Sequence, residues 1–271
     1  MEYIVKQYKK LTQWLFATLI AFTLTACGQD DDTVLKVGAT VGPHAQVVEA
    51  VAKEAAKQGL KVEVIEFSDY ITPNAALADG SLDLNSYQHQ PFLTNFNHNN
   101  GSHLVSLGNS ILMRMGIYSN KFKSINDLPD NALVAIPNDP TNGGRGLLLL
   151  ADANLITLKS DVGYKATIND IVENPKNLQF IEVEAAQLPR SLDDVDVATI
   201  TMNYVMSAGL DPSKQGIYLE PKDAALAVMV IATRETDKDN ADYKKFVEIY
   251  RSPAIADFIQ KTFNGTIEPA L

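Results

Sequence analysis

Cysteine is almost absent from this sequence. Cys27 stands alone among 271 residues, so one chain can build neither a disulfide framework nor a cysteine-rich metal site. The four histidines, His44, His89, His98 and His103, show no HExxH or similar ligand spacing, and neither a metal nor a cofactor is expected. No GxSxG elbow and no P-loop occurs, which leaves an enzyme reading without a motif to rest on. Basic residues are scarce too: 23 Lys and Arg face 33 Asp and Glu, for a net charge of −10. With no basic stripe to neutralise phosphates, nucleic acid is excluded as a partner. Neither a repeat nor a low-complexity linker interrupts the chain, so any second domain must be inserted into the first. What is abundant is apolar surface: 46% hydrophobic residues suffice for one large or two modest domains.

The lone cysteine is explained by its position. Lys6, Lys9 and Lys10 precede an apolar stretch over residues 11–26 that includes Trp14, Phe16, Ile20 and Phe22. It is a charged n-region followed by an h-region too short and too early for a membrane span. It ends in Leu24-Thr25-Ala26-Cys27, which looks like the lipobox of bacterial lipoproteins. That likeness implies a signal peptide over residues 1–26 and lipidation of Cys27. More than one acyl chain, at about 0.8 kcal/mol per buried CH₂, makes a lasting anchor. Residues 27–33, with Asp30-Asp31-Asp32, read as an acidic lipidated tether. The expected location is the cell envelope, anchored to a bacterial membrane and facing the periplasm or the exterior.

Beyond the tether, residues 35–41 alternate as a strand, residues 44–58 carry a helical apolar face on Val47, Val48, Val51 and Ala55, and residues 60–67 form a second strand. This β-α-β run implies a parallel sheet with ligands near the carboxyl ends of its strands. A short helix over 73–78, strands over 82–87, 103–108 and 111–118, and a helix after Gln88-His89-Gln90-Pro91-Phe92 follow. A fresh α/β run opens at 132–136. It continues through a helix after Asp139, a smaller helix near 167–173, strands over 178–183 and 195–200, and a helix near 188–192. Strands over 215–219 and 226–233 and two closing helices complete the chain. The pattern fits two α/β lobes joined by two crossover segments, near 111–118 and 218–233, closing over a ligand in the cleft.

One stretch carries the most chemical information. Asp139-Pro140 reads as an N-cap followed by proline at the first helical position, with Asn142 and Arg145 on one face of the helix that follows. Unpaired N–H groups at such a terminus, together with an arginine, suit the carboxylate of an amino acid. A plain capped helix with a solvated arginine fits the same residues.

These blocks taken together resemble the MetQ/NlpA family, the methionine-binding lipoproteins of bacterial ABC importers. The resemblance runs through Cys27-Gly28-Gln29-Asp30, Ser68-Asp69-Tyr70, Tyr87–Phe92, Pro137–Asn142, Glu173–Leu178 and Gln187–Asp194. It implies the type II periplasmic binding protein fold, with lobe 1 from residues 34–113 plus 227–271 and lobe 2, inserted, from 114–226. It implies that Arg145 and Asn203 hold the ligand carboxylate, that Asn142 contacts the polar head, and that Tyr70, Tyr87 and His89 wall the thioether. Ordinary packing of the tyrosines and helix capping by His89 or Asn203 are the structural alternatives. The implied partners are a methionine-like amino acid and an ABC permease with its ATPase, and the chain is expected to act as a monomer.

One departure stands out. The family carries an asparagine late in the second crossing, where this chain has Met229, or Val228 if one residue is extra. A polar partner of the ligand head is then missing. Weaker methionine binding, compensation by another group, or a different ligand such as an amino acid derivative or peptide would follow, as would an adhesin or antigen role without transport.

Overall fold

The computed structural model describes residues 34–270. The signal segment, Cys27 and the tether lie outside the described residues.

The chain folds around two sheets. The first begins with β1 (Leu35–Thr40), α1 (Pro43–Lys57) and β2 (Val62–Phe67), and β1 pairs with β2 in parallel. The β-α-β unit forms because Pro43 starts the helix where no N–H is needed and Gly59, at φ 77°, lets the chain reverse behind it. Helix α2 (Thr72–Ala78) leads into β3 (Leu84–His89), whose six residues are all buried. Helix α3 (Gln90–Asn100) and β4 (Leu104–Leu112) follow. The chain then leaves the first sheet through Met113 and Arg114.

The second sheet contains β5 (Met115–Tyr118), β6 (Leu133–Pro137), β7 (Gln179–Val183), β8 (Val197–Thr201) and β9 (Gly216–Leu219), in the order β9-β5-β8-β6-β7. Helix α4 (Pro140–Asp152) follows β6, α5 (Leu188–Ser191) follows β7, and α6 (Met202–Ser207) follows β8. The chain returns through residues 220–227 to β10 (Val228–Arg234), then α7 (Ala241–Tyr250), α8 (Pro253–Phe263) and β11 (Glu268–Pro269). The first sheet thus reads β11-β4-β10-β3-β1-β2. Both sheets are mixed, because β10 runs antiparallel to β3 and β4, and β5 antiparallel to β8 and β9. The parallel pairing expected from the first β-α-β unit holds only within part of each sheet.

One core runs between the two sheets, since Tyr118, Ala198 and Ile200 share a cluster with the α1 valines, and a second core belongs to the second sheet alone. Val47, Val48 and Val51 of α1 pack with Val37, Ile231, Phe246 and Ile255, while Leu147 and Leu150 of α4 pack with Ile117, Val134 and Val197. The helix expected near 167–173 is not formed. Residues Ile168–Asp170 make one 3₁₀ turn, held by Asp170 accepting from the Thr167 backbone N–H and hydroxyl, and Ile171–Glu173 is a short strand paired with Thr157–Leu158. The β-branched Ile171-Val172 pair favours that extended conformation. Strands expected separately over 103–108 and the start of 111–118 are one, β4, and the break falls at Met113 instead.

Candidate functional site

The carboxyl ends of β3 and β8 and the start of α4 converge on one small cavity of about 20 Å³, with room for little more than a water. Tyr70, Tyr87, His89, Asn142, Arg145, Asn203 and Met229 all border it. His44, Phe92, Met113 and Thr201 border it too, and sequence reasoning gave none of them a site role.

Asp139 caps α4 by accepting from the Asn142 backbone N–H at 2.9 Å, as its position before Pro140 predicts. The Asn142 amide donates to both Asp139 oxygens, at 3.2 and 3.0 Å. Asn142 is therefore held by its own cap. Burial raises the Asp139 pKa, and the bonds from Asn142 and Thr141 oppose that shift.

His89 does two things at once. As N-cap of α3 it accepts the Phe92 N–H on Nδ1 at 3.1 Å, which leaves the ring proton on Nε2. Nε2 lies 3.1 Å from Asn142 Oδ1 and donates to it. Burial, reinforced by the nearby Arg145 charge, lowers the His89 pKa to about 3, so the ring is neutral at physiological pH. The capping role and the place in the cavity wall are the same geometry.

Tyr70 sits at the centre of an aromatic cluster, with ring centroids 6.0 Å from Tyr87, 6.0 Å from Phe92 and 4.8 Å from Tyr204. Its hydroxyl donates to Asn203 Oδ1 at 2.5 Å and accepts from the Thr201 hydroxyl at 2.7 Å. Tyr87 donates to the Tyr70 carbonyl at 2.8 Å. Burial raises both phenol pKa values. Tyr70 belongs to the first lobe and Asn203 to the second, so these bonds cross the cleft. Tyr204 to the Ser68 carbonyl (3.1 Å) and Ser207 to the Val41 carbonyl (3.1 Å) cross it as well. The cleft is closed.

Asn203, 1% exposed, spends its oxygen on Tyr70 and leaves Nδ2 buried with no partner among the described residues. It does not cap α6, whose N-cap is Thr201. Arg145 is 2% exposed and is not a solvated arginine. Its Nε donates to Glu220 Oε1 at 2.7 Å and its Nη2 to Glu220 Oε2 at 2.5 Å and to the Met113 carbonyl at 3.0 Å. Glu220 was not anticipated. A single acid between Leu219 and Pro221 gives no local sign of burial, and its partner lies 75 positions away. Met229, rather than Val228, borders the cavity, opposite His89 in the β10–β3 ladder.

Glu220 balances Arg145 from behind the cavity wall and His89 is neutral, so the wall presents aromatic and thioether surface beside a few polar groups. The family description "NlpA lipoprotein" matches residues 35–271. The chain belongs to the NlpA lipoprotein family. It is 46% identical over 254 residues to the D-methionine-binding lipoprotein MetQ of Escherichia coli strain K12, covering 92% of this chain and 93% of that one. It is 42% identical over 250 residues to outer membrane lipoprotein 3 of Mannheimia haemolytica, covering 92% of this chain and 94% of that one. Among solved structures it is similar to a nutrient-binding protein from Burkholderia cenocepacia bound to methionine, at 46% identity and a TM-score of 0.85, covering 88% of this chain and all of that chain (100%). The two lobes with crossover segments are the type II periplasmic binding protein fold shared by such relatives.

Proposed function

We propose that this NlpA-family lipoprotein is a non-catalytic carrier that captures methionine, L or D, between its lobes and delivers it to an ABC permease. The carrying observation is the closed, charge-balanced cavity. The unpartnered Asn203 Nδ2 and the Nη1 side of Arg145 suit a carboxylate at one end, and Tyr70, Tyr87, Phe92 and neutral His89 suit a thioether at the other. Sulfur against aromatic rings contributes about 0.3–1.5 kcal/mol each, and charge-assisted hydrogen bonds about 1.5–3 kcal/mol. A micromolar ligand needs about −8 kcal/mol. In this reading Asn142 orients His89, and Met229 offers apolar contact where the family has an asparagine. Lobe 1 is residues 34–113 plus 227–271, lobe 2 is residues 114–226, and the crossings act as hinges. The monomer is anchored through Cys27 after removal of residues 1–26 and faces the periplasm or the exterior.

Calorimetry of the mature protein with L- and D-methionine tests this. A ligand at a hundredfold excess over Kd is expected to stabilise the fold by about 2.7 kcal/mol. Absence of binding by either isomer would refute it. Met229 favours a second reading, a surface lipoprotein of the same fold that takes a methionine derivative or short peptide. A stronger thermal shift with those ligands than with methionine would select it.

A further inference from the structure

His44 lies in the first turn of α1, borders the cavity, and is 1% exposed. Its Nδ1 is buried with no hydrogen-bond partner among the described residues. Leaving a buried polar atom unpaired is costly, and a neutral imidazole offers one donor and one acceptor. A ring so placed beside a cavity is short of a partner that the protein does not supply.

The other polar groups of the wall narrow down what that partner is. His89 has both nitrogens committed, and the Asn142 and Asn203 oxygens accept from His89 and Tyr70 with one lone pair each to spare, so His44 Nδ1 is the one wall acceptor with no bond at all among the described residues. The donors left over are Asn203 Nδ2 and the Nη1 side of Arg145, which suit a carboxylate. An amino acid also brings an ammonium, which needs an acceptor. We infer that His44 is a further ligand-binding residue whose neutral ring accepts a hydrogen bond from the α-ammonium of an amino acid held in the cavity. This rests on the amino-acid reading above. Burial lowers the His44 pKa to about 3, so the proton stays on the ligand amine and the ring stays an acceptor.

The experiment is calorimetry on the unaltered mature protein, His44→Leu and His44→Gln, each with L-methionine and with 4-methylthiobutanoate, which keeps the carboxylate and thioether but lacks the ammonium. His44→Leu is expected to weaken methionine roughly 10- to 100-fold while changing the analogue by less than about twofold. His44→Gln, with an amide oxygen, is expected to recover part of the loss. Thermal unfolding of the unliganded variants checks folding, and if His44→Leu does not fold, His44→Gln and His44→Ala carry the comparison. Equal loss for both ligands, no loss for methionine, or equal affinity of the unaltered protein for the two ligands overturns the inference while the carrier reading stands. No binding of methionine by the unaltered protein overturns both.

Discussion

Arg145 and Glu220 form a two-point ion pair across the floor of the cleft, Nε to Oε1 at 2.7 Å and Nη2 to Oε2 at 2.5 Å. Glu220 lies on the second crossing and also accepts the Met115 N–H at 2.7 Å, while Arg145 reaches the Met113 carbonyl on the first crossing. One guanidinium at the cavity therefore ties together both crossover segments.

Glu220→Gln leaves Arg145 charged and unpaired in the interior. It is expected to lower stability by about 3–5 kcal/mol, read as a lower urea midpoint. The double variant Arg145→Met with Glu220→Leu, which removes both charges, should recover most of that loss. A midpoint unchanged in Glu220→Gln would show that the pair is not maintained in solution.

Arg145→Ala is expected to weaken methionine binding by roughly 10- to 100-fold, from loss of about 1.5–3 kcal/mol of charge-assisted hydrogen bonding. Titration calorimetry measures it. An unchanged Kd would confine Arg145 to its structural pairing with Glu220 and Met113.

Tyr70→Phe deletes the hydroxyl that joins the first lobe to Thr201 and Asn203. Asn203 Oδ1 then loses its donor, at a cost of about 1–3 kcal/mol to the closed form. Weaker ligand binding with little change in the unfolding of each lobe is the expected outcome. Small-angle scattering of the unliganded variant should show a larger radius of gyration, and an unchanged radius would count against the cross-cleft role.

His44 and His89 are both buried neutral, with pKa values near 3 caused first by burial. The unfolded chain takes up these protons near pH 6.5 while the folded chain does not, so their stabilising effect is full above pH 6.5 and is lost as pH falls toward 3. Each histidine is expected to remove about 1.4 kcal/mol per pH unit between roughly pH 6 and 4.5. Denaturant titrations across that range measure the slope, and His44→Gln should roughly halve the histidine part. A slope that is the same in both proteins would contradict the burial of His44 as a neutral ring.

Gly144 of α4 has no room for a side chain, because a Cβ there would fall 2.0 Å from the Tyr164 carbonyl oxygen. Gly144→Ala is expected to cost about 1–3 kcal/mol, since backbone rather than a flexible side chain must move. Thermal unfolding would register it, and a neutral result would mean the 163–165 turn yields freely.

The features legible in the sequence are those whose physics is local. The apolar face of α1, the glycine behind it, and the Asp139-Pro140 start of α4 are each set by residues within a turn or two. The quoted blocks also located most of the cavity wall, because strand ends and helix starts bring Tyr87, His89 and Asn142 to the edges of the sheets. The helix expected near 167–173 failed because Thr167–Asp170 capping supports a single turn and the next two residues are β-branched.

Other properties were decided only by the path of the chain. Arg145 and Glu220 are 75 positions apart, Tyr70 and Asn203 133, and His89 and Asn142 53. Nothing near any of them names its partner, because a buried polar group is satisfied by whatever the fold brings within about 3 Å and not by its neighbours in sequence. By itself, then, the sequence determined that two α/β lobes would place an arginine, aromatic rings and a histidine at a cleft. Only the tertiary structure decided that the arginine arrives already neutralised, that His89 is locked in one neutral tautomer, and that His44 and Asn203 remain with hydrogen bonds still to make.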